Sequence, residues 1–231
     1  MKPNGRMYAA GWRGSFETGV KMAAYAPNRS EEAEAEYKKL IDELPAVAEA
    51  FKKGLGSLYP RAFDKLKAAS KSFGTPSFGY TTFNGSRSAD CFANSLTVTC
   101  QDFDNFLHED NDEIGIAYGW WWAARHNKQQ NKYVVDEQCK HHSIRSGAFF
   151  WGAYKIAVDF SQCDDLVEIF WRGKEDAHCT MYSESEENMT RFGSSTQLTH
   201  QGVLAAQNFW KNNGARNVLL TYKDRLARKR Q

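Results

Sequence analysis

Two residues set the chemistry to look for, His108 and Asp110, in the run Asn105-Phe-Leu-His108-Glu-Asp110. An imidazole and a carboxylate two positions apart project to the same side of an extended backbone. Two His and one carboxylate on one face of a metal leave its opposite positions open for a cosubstrate and O2, the arrangement that suits non-haem Fe(II). The pair supplies two of those three ligands. By itself it would serve zinc, manganese or iron equally, and two polar residues so spaced also suit a solvated turn.

The third ligand has to come from elsewhere, and His178 is the candidate, placed after a strand-like run and a turn in Trp171-Arg-Gly-Lys-Glu-Asp-Ala-His178. Further along, Arg191 begins another strand-like run. A guanidinium is a planar fork of donors that matches a terminal carboxylate bidentately. His108, Asp110, His178 and Arg191 together imply Fe(II), O2 and 2-oxoglutarate, which chelates iron through its keto acid end and needs a cation for its other end. Alone, His178 would suit a core or a surface and Arg191 a salt bridge. The combination favours the site. A second group, Cys139, His141, His142 and Cys163, has no spacing that fits a tetrahedral zinc site and reads as loop.

These residues need elements to hold them. Leu96-Thr-Val-Thr-Cys100 alternates and reads as a strand leading to His108. Residues 1–28, rich in Gly, Arg and aromatics without a period, read as an irregular arm. Ser30 caps a helix with Glu31 and Glu32 in its first turn and Tyr37, Leu40, Ile41 and Leu44 at helical spacing. Pro45 interrupts it, and a second helical run follows through Val47 and Phe51 to Gly56. A third helix starts at Pro60 and carries Phe63 and Leu66. From Ser77 the period changes to two, with Asn84-Gly85 as a turn, and short aromatic and β-branched runs recur as far as Thr199. Val203 to Trp210 reads as a closing helix, and the tail from Lys223 to Arg230 is basic. The expected fold is α+β: residues 1–75 an arm and bracing helices, and residues 76–231 a core of antiparallel strands, together one compact catalytic domain.

Composition narrows the setting. With 231 residues the chain can bury a full core. A 14% aromatic share with 7 Trp suits a β-rich core or a surface that stacks on flat ligands. A net charge of +2 means that any nucleic-acid contact comes from local patches. Five Cys, an odd number without a C-x-x-C pair, argue for a reducing compartment. No run has membrane length and no signal peptide is evident, so a monomer acting in the nucleus or cytoplasm is expected.

The segments from Asn94 to Trp122, Gly147-Ala-Phe-Phe-Trp151, Leu166-Val-Glu-Ile-Phe-Trp-Arg172 and Thr190-Arg-Phe-Gly-Ser-Ser-Thr-Gln197 resemble the TET/JBP family of Fe(II)- and 2-oxoglutarate-dependent DNA dioxygenases, in particular its short Tet-like fungal members. The resemblance implies a double-stranded β-helix (jelly-roll) core, with His108, Asp110 and His178 on iron and Arg191 on 2-oxoglutarate. It implies double-stranded DNA with a methylated base as partner and a nuclear location. The reaction would turn 5-methylcytosine into 5-hydroxymethylcytosine and further oxidised forms, or demethylate N6-methyladenine. The chain lacks the Cys-rich zinc-binding region of the animal members. It carries Glu113 where they have Asn, and Thr199 followed by His200 where they place a base-contacting His.

A base flipped into such a site needs walls and edge contacts. Tyr80, Phe83, Tyr118, Trp120 and Trp151 are wall candidates. Asp112 or Glu113 would accept from the N4 amino group of cytosine, or from the N–H of N6-methyladenine. Thr199, His200 and Asp224, the one acid of the basic tail, complete the base-pocket candidates. Arg6, Arg13, Lys21, Arg29, Lys223, Arg225 and Arg228 are the phosphate candidates. The competing readings are a catalytically silent nucleic-acid-binding module and a 2-oxoglutarate oxygenase acting on RNA or protein.

Overall fold

A computed structural model describes residues 4–26, 30–83, 90–186 and 188–227. In chain order the strands and α-helices begin with β1 (Arg6–Gly14), β2 (Met22–Ala24), α1 (Glu31–Leu58) and α2 (Pro60–Phe73). Then come β3 (Ser95–Cys100), β4 (Ala117–Asn127), β5 (Lys132–Val134), β6 (Ile144–Ser146), β7 (Ala148–Trp151), β8 (Ile156–Asp159) and β9 (Val167–Trp171). The chain closes with β10 (His178–Thr180), β11 (Ser183–Ser185), β12 (Met189–Gln197), α3 (His200–Lys211), β13 (Leu219–Leu220) and α4 (Tyr222–Ala227). Among the described residues no helix is long and apolar enough to cross a membrane.

Contacts group the chain into two compact units. The first holds Met1–Tyr8, Thr97–Asn111 and Gly115–Ser195; the second holds Ala9–Leu96, Asp112–Ile114 and Thr196–Gln231. They interleave along the sequence.

In the first unit β4 is the central strand. It pairs antiparallel with β9 from Ala117 to Trp121 and with β5 from Arg125 to Asn127. A second antiparallel sheet, β10-β7-β8, packs against it. Period-two alternation explains the Trp120-Trp121-Trp122 cluster: Trp121 turns inward among Phe149, Phe160 and Trp171, while Trp122 turns outward and stacks on Phe192. The two sheets closed over this aromatic core form the jelly-roll of an α+β fold.

In the second unit Ser30 caps α1 by accepting from the Ala33 N–H at 3.1 Å, and α2 begins at Pro60. Pro45 does not end α1, which runs as 28 residues with the proline inside it. Burial of Tyr37, Ile41 and Leu44 before Pro45, and of Phe51 and Leu55 after it, holds both halves to one core face. The N-terminal arm is not irregular. β1 pairs with β2, and Gly11 takes φ +118°, where a Cβ would collide with the Asn94 carbonyl oxygen. The alternation between Ser77 and Phe83 forms no strand, and among the described residues the sheet begins again only at β3. Phe78 is buried in a loop between Phe51 and Phe92, so its spacing reflects core packing rather than a sheet. The Asn84-Gly85 turn lies outside the described residues.

Candidate metal centre and cosubstrate pocket

The site grows from one strand pairing. His108 and His178 exchange two backbone hydrogen bonds, His108 N–H to the His178 carbonyl at 3.0 Å and the reverse at 2.8 Å. Residues opposed in that way send their side chains to the same face, and the two imidazole centroids lie 4.7 Å apart. Asp110, two positions after His108, joins that face. Its N–H is tied to the Gly173 carbonyl at 2.7 Å. A Cβ on Gly173 would stand 2.5 Å from Asp110 Oδ2, so glycine is what leaves room for the carboxylate.

Both imidazoles are oriented from behind. His108 Nδ1 lies 2.7 Å from the Phe106 carbonyl and His178 Nδ1 lies 2.8 Å from the Asp176 carbonyl. A carbonyl only accepts, so each Nδ1 carries the proton and each Nε2 presents a lone pair. His108 Nε2 is 3.5 Å from Asp110 Oδ1 and His178 Nε2 is 3.4 Å from Asp110 Oδ2. One ligand atom from each of the three residues falls within 4.8 Å of the others. Burial works against the Asp110 carboxylate, yet the neighbouring His108 and His178 outweigh it and hold its pKa down at about 2. Two imidazole nitrogens and one ionised oxygen converging in this way fit Fe(II).

Further groups hold His178. The Asp176 carboxylate receives Arg172 through Nε at 2.9 Å and Nη2 at 2.7 Å, and the Tyr154 hydroxyl at 2.9 Å. That clamp fixes the carbonyl which fixes the imidazole. Trp171 donates its indole N–H to His178 Nε2 at 3.1 Å, and Phe149 stacks on the ring at 5.5 Å.

Thr180 shares a face of β10 with His178 and lines a cavity together with Thr99, Trp121, Ser183 and Arg191. Arg191 is 7% exposed and lies 4.9 Å from the Phe160 ring centroid. No carboxylate forms an ion pair with it among the described residues. Burial lowers its pKa to about 10, while Asp102 and Asp159 pull it upward through charge alone. A buried cation of this kind is a seat for an anion.

The other candidates fall in different surroundings. In the second unit Asp112, which is buried, bridges Thr199 through the backbone, and His200 Nδ1 lies 2.6 Å from Glu113 Oε2. The Thr199 hydroxyl caps α3 by accepting from Gly202 N–H at 3.2 Å. Asp224 closes a capping box at α4 instead of standing alone. It accepts from the Thr221 N–H at 2.6 Å and pairs with Arg216. Thr221-Tyr-Lys-Asp224 carried that signal in the sequence. Tyr118 is buried in the first unit and donates to Glu168 at 2.7 Å. Phe83 packs on Phe209 within the second unit's core, and Trp151 packs on Phe149 in the first unit.

Among the phosphate candidates, Arg6, Lys21 and Lys223 are exposed. Arg13 rests on Phe16 at 4.4 Å. Arg225 is engaged internally, with Glu17 and with the Ala24 carbonyl at 3.0 Å. Arg29 and Arg228 lie outside the described residues. Gly173, Asp176, Trp171 and His141, which serves Arg191, were not among the sequence candidates for the site. Each acts through a contact that spacing along the chain does not reveal.

The family model described as the Tet-like 2OG-Fe(II) oxygenase superfamily matches residues 1–183, a stretch that holds His108, Asp110 and His178 and stops short of Arg191. No curated protein matches the chain.

Proposed function

Because the chain belongs to the Tet-like 2OG-Fe(II) oxygenase superfamily and so uses Fe(II), 2-oxoglutarate and O2, we propose that it oxidises the methyl group of a methylated base in double-stranded DNA. The observation that carries the oxygenase chemistry is the convergence of His108, Asp110 and His178 in the unit that also buries Arg191 beside a cavity. Bound there, Fe(II) with 2-oxoglutarate and O2 supplies the oxidising power for a C–H bond, with succinate and CO2 as coproducts. The protein's share is placement. The Phe106 and Asp176 carbonyls hold the imidazole lone pairs toward Asp110, and Arg191 receives the distal carboxylate of 2-oxoglutarate.

A methylated base as substrate is supported by the family. The same chemistry suits 5-methylcytosine, taken to 5-hydroxymethylcytosine and beyond, and N6-methyladenine, whose hydroxylated methyl leaves as formaldehyde. Arg6, Arg13, Lys21 and Lys223 are the proposed phosphate contacts. A monomer acting in the nucleus completes the proposal. Size exclusion tests the first part, and a fluorescent fusion with and without residues 223–231 tests the second.

The deciding experiment incubates the protein, Fe(II) and 2-oxoglutarate with duplexes carrying either modified base, then measures the nucleosides by mass and the succinate formed. Oxidised or demethylated base in step with succinate is expected, with both lost in His108→Ala and Asp110→Ala. Succinate coupled only to RNA or protein would replace the substrate, and DNA binding with no succinate would leave a silent binding module.

A further inference from the structure

The donors of Arg191 are nearly all engaged before any ligand arrives. Its Nε donates to His141 Nδ1 at 3.1 Å and its Nη1 to the Ser146 carbonyl at 3.0 Å. Nη2 donates to the His141 carbonyl at 3.2 Å and the Ile144 carbonyl at 3.3 Å. A guanidinium has five N–H groups, so among the described residues these four bonds leave one, on Nη1. The surrounding backbone is shaped for it. Ser146 and Gly147 take φ of +61° and +79°, and a Cβ on Gly147 would collide with Nη1. Three of the four acceptors are main-chain carbonyls. The fourth, His141 Nδ1, is the one side-chain atom among the described residues that accepts from this guanidinium.

His141 is itself 0% exposed and stacks on Phe160 at 5.5 Å and 20°. To accept from Nε–H its Nδ1 must be bare, so the ring is neutral with its proton on Nε2. Burial, and then the charge of Arg191, both press His141 toward that neutral form. Among the described residues its Nε2 makes no hydrogen bond of good geometry, with backbone groups of Trp121 and Asp165 near the ring. A group kept only for packing would be apolar and leave no buried N–H unsatisfied. The imidazole is therefore explained by its other nitrogen.

We propose that His141 is the positioning residue of the cosubstrate pocket: by accepting from Arg191 Nε it sets the plane of the guanidinium, so that the remaining Nη1 N–H meets the distal carboxylate of 2-oxoglutarate. This rests on the reading of Arg191 as the cation for that carboxylate. The carboxylate is then held by one N–H of the arginine rather than by its whole fork, and affinity depends on the aim of that single donor.

Calorimetric titration of 2-oxoglutarate into the Fe(II)-loaded full chain without O2 tests it. His141→Leu should weaken binding about tenfold or more, the scale of a hydrogen bond to a charged group. His141→Asn, whose Oδ1 takes the place of Nδ1, should restore most of that affinity, and Mn(II) affinity should stay unchanged in both. Should the leucine variant fail to fold, His141→Ala makes the same comparison. A folded Leu or Ala variant that binds 2-oxoglutarate like the wild type overturns the proposal, as does an Asn variant that loses as much as Leu. Arg191→Met separates the two readings. If it leaves 2-oxoglutarate affinity intact, the assignment of Arg191 fails; if it abolishes affinity while His141→Leu does not, only the role of His141 fails.

Discussion

At the scale of single residues, Gly173 governs how closely the Asp110 carboxylate approaches its two imidazoles. In Gly173→Ala the new methyl would meet Oδ2 at 2.5 Å and Cγ at 3.3 Å, and the carboxylate is the part able to move. Metal affinity is expected to fall about tenfold or more, within the range for lost ligand support. Thermal stability of the metal-free protein should change little, and Mn(II) titration beside a melting curve checks both. The His-Asp-His set was legible only in combination, because the pair, the later His and the Arg after it fit one chemistry that none of them states alone. Their supports were not. Gly173 meets Asp110 across 63 positions, and His141 meets Arg191 across 50, so no local pattern ties either pair together.

At the scale of elements, α1 carries a cost that can be removed. Pro45 is exposed and sits inside a 28-residue helix. It removes a helical hydrogen bond and crowds the preceding turn, at about 3 kcal/mol, while restricting the unfolded chain returns up to about 1 kcal/mol. The larger effect wins. Pro45→Ala should stabilise the protein by about 2 kcal/mol, read from urea unfolding. The helices were readable from Ser30, Pro60 and their apolar spacing, since caps and periodicity are local. β1 and β2 were not, because β1 depends on Gly11 approaching Asn94 and on Trp12 donating to the Ser77 carbonyl at 2.9 Å, contacts far apart in sequence. The ion pair between Glu17 and Arg225 ties the segment after β1 to α4. The Arg225 hydrogen bond, opposed by burial, brings the Glu17 pKa from 4.5 down to about 2. A depressed carboxyl stabilises the fold above its unfolded value and loses that contribution as pH falls toward about 2. Glu17→Gln should therefore flatten the loss of stability across that window in acid unfolding curves.

At the scale of the whole molecule, both units draw on separated stretches of chain. A fragment of residues 76–231 would lack β1, β2, α1 and α2, and with them the buried Trp12, Leu44 and Leu55. Each such side chain contributes about 1.5–3 kcal/mol when buried, against a total stability of about 5–15 kcal/mol. The fragment is expected to be unfolded by circular dichroism and rapidly cleaved by protease, whereas the full chain resists. The antiparallel strands were readable in their alternation and the jelly-roll was implied by the family resemblance, but alternation does not say which distant stretch completes a core.

The hydrogen bond from Trp171 to His178 gives the protein an optical gauge of its own loading. An indole whose N–H rests on the atom meant for the metal has to yield or share that atom when the ion arrives, and its emission should change as it does. Trp171 is hydrogen-bonded directly to a member of the His-Asp-His set. The difference in fluorescence between the protein and Trp171→Phe, followed through a metal titration, would then report occupancy without substrate, cosubstrate or turnover.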